Sequence, residues 1–148
     1  MNVLFLCTHN SARSILAEAL LNHLDAGAGK FKAFSAGSSP RENQKPHPLA
    51  IEALKNAGIE TRDLSSKSWD VFAGNDAPHM DLIITVCDNA AGEVCPIWPG
   101  KPDRQHWGYA DPSLVEGTPA VRLQAFADTL SLIQTRIKRF IAASERDE

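Results

Sequence analysis

The sequence predicts an α/β fold: one domain, 1–148, built on an open, mostly parallel sheet of four strands flanked by helices. Three observations lead there. Strand-like and helix-like segments alternate along the chain. The runs Val3-Leu4-Phe5-Leu6 and Asp81-Leu82-Ile83-Ile84-Thr85-Val86 are short and continuously apolar, the pattern of strands buried on both faces. At 148 residues and 43% hydrophobic content, the chain can bury one proper core.

Each element follows in order. Val3 to Leu6 forms the first strand. The pattern Ser14-Ile15-Leu16-Ala17-Glu18-Ala19-Leu20-Leu21 starts a helix that runs to about Leu24 and closes toward Gly27 and Gly29. Lys30 to Ser35 reads as the second strand. Beyond the Gly37-Ser38-Ser39-Pro40 turn, Pro46 and Pro48 precede the amphipathic run Leu49 to Lys55, a helix that Gly58 ends. Leu64 to Phe72 is less periodic, with a short helix expected near Ser68 to Phe72. Asp81 to Val86 is the third strand, ending at Cys87, and Gln105 to Trp107 the last. Thr118-Pro119 caps a final helix running to about Ala142.

Composition narrows the function. A net charge of −3, with only the scattered Arg136, Lys138 and Arg139 on a solvated helix face, argues against nucleic acid as a partner. No apolar stretch approaches the length of a membrane span, and Met1-Asn2 leads straight into a strand with no charged leader. A cytoplasmic monomer is therefore expected. Three cysteines make an odd number for a disulfide framework, and in a reducing compartment cysteines that matter are more often catalytic or metal-binding.

The chemistry concentrates in Cys7-Thr8-His9-Asn10-Ser11-Ala12-Arg13-Ser14. Five residues between Cys7 and Arg13 let the backbone curl so that its N–H groups face a tetrahedral anion, while the arginine fork closes the ring. The helix that follows should stabilise a thiolate at Cys7, as should Ser14 as a donor. Thr8, His9, Asn10, Ser11, Ala12, Arg13 and Ser14 are the expected binding segment. The plain alternative for Cys7 is a small buried hydrophobe at a strand end. A Walker-type loop is excluded, since no Gly-Lys-Ser/Thr occurs at this turn. Asn10 suits a left-handed conformation that ties the cradle together, and Ser35 is a candidate to hydrogen-bond to it; both also read as ordinary turn residues. His9 reads as a solvent-facing filler, and Trp98 and Trp107 as packing residues.

Two further signals lie downstream. Cys87 and Cys95 are separated by seven residues in a polar, glycine-containing segment. A metal site would ask for tighter pairs and more ligands than these two with His106, so no metal or other cofactor is expected. Two inert buried thiols are one reading. The other is a relay that carries oxidation away from Cys7, with the intervening loop bending to bring the sulfurs together. Asp111-Pro112 follows the predicted last strand. It is either a plain turn or a carboxyl held over the anion to protonate a departing oxygen. Ligands of open parallel sheets bind beyond the carboxyl ends of the strands, where Cys7, Cys87 and the loop after Trp107 all fall.

Cys-(x)5-Arg-Ser directly after an N-terminal strand resembles the low-molecular-weight protein tyrosine phosphatase superfamily, which includes a branch of arsenate reductases. The later pair Cys87 and Cys95, then Pro96, then His106-Trp107-Gly108-Tyr109-Ala110-Asp111-Pro112, resembles the reductase branch. The resemblance covers nearly the whole chain and implies a phosphatase-like fold with an N-terminal phosphate-binding loop. It also implies Cys7 as nucleophile on arsenate (phosphate being its analogue), Cys87 as relay thiol, Cys95 as final thiol and Asp111 as general acid. The reductant it implies is thioredoxin, with glutathione/glutaredoxin as the variant. Two departures stand: Ala12 carries no thiol, and members of the branch differ in the spacing of the later cysteines, so spacing does not fix the reductant. Two rivals remain. A phosphatase would hydrolyse phosphomonoesters through a cysteinyl-phosphate on Cys7, Arg13 and Asp111, although Ser113-Leu114-Val115-Glu116 offers no aromatic pair to flank a phosphotyrosine. A non-enzymatic redox sensor would use the same thiols as an oxidation switch.

Overall fold

A computed structural model describes residues 1–74, 76–86 and 102–146. Strand β1 (Asn2–Cys7) leads through a loop to helix α1 (Arg13–Leu24), followed by β2 (Lys32–Gly37) and helix α2 (Pro48–Asn56). A 3-10 turn at Trp69–Phe72 precedes β3 (Leu82–Thr85) and β4 (Asp103–His106). A second 3-10 turn, Pro112–Leu114, leads into the long helix α3 (Pro119–Arg146). The strands order as β2-β1-β3-β4, every described pair parallel.

The register decides where a site can form. Cys7 pairs with Gly37, Leu6 with Thr85, and Thr85 with His106, so the carboxyl ends of all four strands share one edge. The chain leaves β1 toward β2 on one side and returns to β3 on the other. The crevice between those departures is where parallel α/β sheets place ligands, and the loop after Cys7 opens into it.

Val3, Leu4, Phe5 and Leu6 are wholly buried, as a central strand covered on both faces requires. Phe5 packs on Trp107 with ring centroids 5.9 Å apart, and Phe140 of α3 meets that indole at 5.8 Å. Trp107 is thus the packing residue expected. On β2, Phe34 meets Phe72 of the first 3-10 turn edge-on at 5.5 Å. Helix α3 packs against both α1 and α2. Its Arg136, Lys138 and Arg139 are exposed, Arg136 lying over the Trp107 ring at 5.1 Å. β4 is polar and exposed along its length, as suits an edge strand.

Several boundaries move from their expected places for identifiable reasons. β2 begins at Lys32 rather than Lys30, because the Phe31 N–H is taken by the Asp25 carboxylate at 2.7 Å and Gly29 turns the chain at φ +64°. It continues past Ser35 to Gly37, where it pairs with Cys7. β4 spans Asp103–His106, its ladder extended one step by Trp107 N–H donating to the Thr85 carbonyl. α3 runs beyond Ala142 to Arg146. Thr118 caps its start through Val121 N–H at 3.2 Å, as its position in sequence suggests.

Candidate active site

Cys7 ends β1 and is 4% exposed, so its sulfur is approached from the loop that follows. That loop turns on Asn10, whose φ of +54° lies in the left-handed region that asparagine tolerates better than most residues. The loop is pinned from outside. Thr8 and Cys7 carbonyls accept from the N–H groups of Ser39 and Ser38 at 2.8 and 3.1 Å, and the Ser11 carbonyl accepts from His47 N–H at 2.8 Å. The carbonyls of Cys7, Thr8 and Ser11 are thus engaged by donors outside the loop, which suits a cradle whose amides are to face an anion. Helix α1 begins directly behind it with Ala12 at the cap position, which offers no side-chain acceptor to the first turn. Those N–H groups stay available to an anion.

Gly37 completes the base of the loop. A β-carbon on it would sit 2.7 Å from the Thr8 carbonyl oxygen and 2.9 Å from the Asn10 nitrogen, so only glycine allows β2 to run this close. Nothing in the pattern Ser35-Ala36-Gly37 separates this glycine from a turn residue until the register is known.

The side chains converge on one small cleft lined by Cys7, Thr8, His9, Ser11, Ala12, Arg13 and Asp111. Ser14 Oγ lies 3.0 Å from Cys7 Sγ. Asn10 Nδ2 donates to the same Ser14 oxygen at 2.8 Å, which leaves the Ser14 hydrogen to be directed at a thiolate. The Arg13 guanidinium reaches the Asp111 carboxylate at 3.5 Å and donates to the Tyr109 carbonyl at 2.9 Å. This spans the cleft from α1 to the loop after β4. Asp111 Oδ1 accepts from Ser113 N–H and Ser113 Oγ at 2.9 and 2.7 Å, fixing the carboxylate at the head of the second 3-10 turn. The Tyr109 contact to Arg13 is a backbone contact, invisible in side-chain identity.

The other expected site residues divide. Thr8, His9, Ser11 and Ala12 line the cleft; Asn10 and Ser14 lie beneath it, wholly buried. His9 is not a free filler: its Nδ1 lies 2.9 Å from the Ser39 carbonyl and helps hold the loop. Ser35 does not reach Asn10. Its hydroxyl instead donates to Glu18 on α1, and Asn10 is held by residues 66 and 67. Cys87, Cys95 and Trp98 lie outside the described residues. His106, considered as a third metal ligand, has its Nδ1 2.6 Å from Thr85 Oγ1.

His47 carries no signal in the sequence pattern. It caps α2 by accepting from Leu49 N–H through Nδ1, its ring lies 4.7 Å from Phe126, and its own N–H holds Ser11. Burial lowers its imidazole below the ordinary value, with Arg122 adding to the effect and Asp111 opposing it.

A family model described as low molecular weight phosphotyrosine protein phosphatase matches residues 2–148. An arsenate reductase of Bacillus licheniformis is 36% identical over 144 residues, 97% of this chain and 96% of that one. Among solved structures, a thioredoxin-dependent arsenate reductase of Corynebacterium glutamicum is 29% identical with a TM-score of 0.69. That match covers 99% of this chain but only 63% of the other. A structure described as an arsenate reductase in the phosphate binding state is 26% identical with a TM-score of 0.73, covering 96% and 97%.

Proposed function

The chain belongs to the low molecular weight phosphotyrosine protein phosphatase family, and from that premise we propose that it is an arsenate reductase whose reaction begins at Cys7. The observation that carries the reading is the meeting of Cys7, Arg13 and Asp111 at one cleft. The full-length likeness to chains named arsenate reductase supports arsenate as the substrate, and the likeness to a phosphate-bound structure supports an oxyanion in the cradle.

Arsenate docks on the amides of residues 8–14 and on Arg13, which exchanges its hold on Asp111 and Tyr109 for two oxygens of the anion. The Cys7 thiolate attacks arsenic, and Asp111 protonates the oxygen that leaves as water. Ser14 and the α1 N-terminus favour the thiolate that performs this step. Cys87 then attacks the Cys7 sulfur. The sulfur–arsenic bond breaks, arsenic keeps the electron pair and departs as arsenite, and a Cys7–Cys87 disulfide forms. Cys95 attacks Cys87, freeing Cys7 and leaving a Cys87–Cys95 disulfide for an external dithiol. Thioredoxin is the expected reductant, since a relative is described as thioredoxin-dependent; glutathione/glutaredoxin is the variant.

No helix among the described residues is long and apolar enough to cross a membrane. A monomeric cytoplasmic protein that binds neither nucleic acid nor membrane fits this chemistry.

The test is a thiol count on reduced protein before and after one exposure to arsenate, with no external thiol present. A fall from three thiols to one, with one arsenite released, is the expected result. Survival of all three would remove the internal relay and leave either a phosphatase or a reductase that borrows its second thiol.

A further inference from the structure

One polar cluster lies outside the cleft and plays no part in the steps above. Glu18 of α1, Ser35 of β2 and Lys67 come together behind the cradle, from segments far apart in the chain. The Ser35 hydroxyl donates to the Glu18 carboxylate. The Lys67 ammonium donates to the Ser65 and Ser35 carbonyls at 2.6 and 3.0 Å. Both ionisable groups are partly buried. Burial raises the Glu18 carboxyl above its ordinary value, against the Ser35 hydrogen bond and the Lys67 charge. Burial likewise lowers the Lys67 ammonium, with Glu18 opposing. Withdrawing two such groups from water is costly, and a packing role alone would be met by apolar side chains.

What the cluster holds is the strand-like segment 65–68, and that segment holds Asn10. Lys67 N–H donates to Asn10 Oδ1 at 2.9 Å, and Ser66 Oγ donates to the Asn10 carbonyl at 2.6 Å. Only the carbonyl end of an amide side chain can accept the Lys67 N–H, so this contact fixes which way the Asn10 amide points. Its Nδ2 then faces Ser14, whose hydroxyl, accepting from Asn10, is placed to give its own hydrogen to a Cys7 thiolate. With Cys7 ionised, the hydrogen bonds run in one direction from Lys67 to the sulfur. We propose that Lys67 and Glu18 are positioning residues for the Cys7 thiolate, acting through the 65–68 segment, Asn10 and Ser14. This rests on Cys7 being the nucleophile, but concerns the thiol itself and not the oxyanion it attacks.

The experiment is the pH dependence of Cys7 alkylation by iodoacetamide in the reduced full-length chain, followed at the Cys7 peptide by mass spectrometry. Wild type is compared with Lys67→Met, Lys67→Arg and Glu18→Gln. The groups at the cleft (Arg13, Asp111 and His9) stay unchanged throughout. Lys67→Met is expected to raise the midpoint by about one pH unit, and Lys67→Arg to restore most of it. Glu18→Gln is expected to raise the midpoint too, because a loosened Lys67 no longer holds Asn10. A simple field effect would shift Glu18→Gln the opposite way, since removing a negative charge favours the thiolate; a fall there overturns the proposal. So does a folded Lys67→Met whose midpoint matches wild type. If Lys67→Met fails to fold, Glu18→Gln decides: a rise supports the proposal, and no change or a fall refutes it. Because no arsenate is used, a failure here leaves the arsenate reading standing, and a failure of arsenate reduction leaves this one intact.

Discussion

Replacing Gly37 with alanine probes the contact on which the cradle's shape depends. The new β-carbon would lie 2.7 Å from the Thr8 carbonyl oxygen, 2.9 Å from the Asn10 nitrogen and 2.9 Å from the His9 carbonyl carbon. All three are backbone atoms, so no side chain can swing aside. Carbon atoms settle at about 3.5 Å, and the His9 carbonyl carbon alone must retreat by roughly 0.6 Å from its present 2.9 Å. The crowding should cost about 1–3 kcal/mol of stability, read as a melting temperature lowered by about 2–4 °C for each kcal/mol. The functional loss should be larger. A misplacement of about 1 Å can cost a hundredfold in rate, so a shift of this size should lower kcat/KM for arsenate by at least about tenfold. Gly27→Ala is the control, because a β-carbon there would meet nothing within 4 Å. The assay pairs arsenite release, driven by excess reductant, with a thermal melt. A Gly37→Ala protein that melts with Gly27→Ala and keeps kcat/KM within about twofold of wild type would refute the reasoning.

Asp111→Asn should slow formation of the thiol–arsenate adduct by about 10²–10⁴-fold, measured as single-turnover arsenite release, while disulfide reagents still oxidise the thiols. An unchanged turnover would favour the sensor reading. His47 carries a pH prediction for stability. Its folded-state value is lowered from 6.5 by burial and Arg122, so the unfolded chain binds the proton first as pH falls. Its contribution is therefore fully present above pH 6.5 and is lost as pH falls below that value toward the folded-state one. Protonation also removes the Nδ1 acceptor that caps Leu49 N–H. His47→Asn, which keeps a cap, should flatten the fall in urea midpoint as pH drops below 6.5; an unchanged slope would refute this.

The cradle was legible in sequence because its parts are local. An apolar strand, five residues between Cys7 and Arg13 and a helix start beyond them define strand, loop and helix without tertiary information. Asp111 was legible as a candidate because a parallel sheet carries the loop after its last strand to the same edge. The supports were not. Asn10 is held by residues 66 and 67, in a segment whose periodicity indicates no single element. The partner of Ser35 is a helical glutamate 17 positions earlier, and Asp25 shortens β2 through one side-chain hydrogen bond. Contacts of this kind join single residues of unlike segments, and no repeating pattern in the chain records them.

Phosphate and arsenate are tetrahedral anions of nearly the same shape, so a cradle built for one should accept the other, and selection between a phosphatase and a reductase should come after the anion binds. One feature near the cleft favours the reductase. The rim beyond the acid carries Leu114, 76% exposed, and Val115. It offers aliphatic surface where an aromatic ester would need a flanking ring. Asp111 itself does not discriminate: Oδ1 accepts two Ser113 donors, and Oδ2, released when Arg13 turns to the anion, would serve either reaction. Hydrolysis of a cysteinyl adduct needs that one remaining oxygen to hold and deprotonate a water beside the anion. Reduction needs no such water. A thiol attacks the Cys7 sulfur instead, and the acid has already completed its work when the first oxygen departs. On the proposed mechanism the same three residues serve both reactions at the first step, and whether a thiol or a water attacks next decides which second step follows.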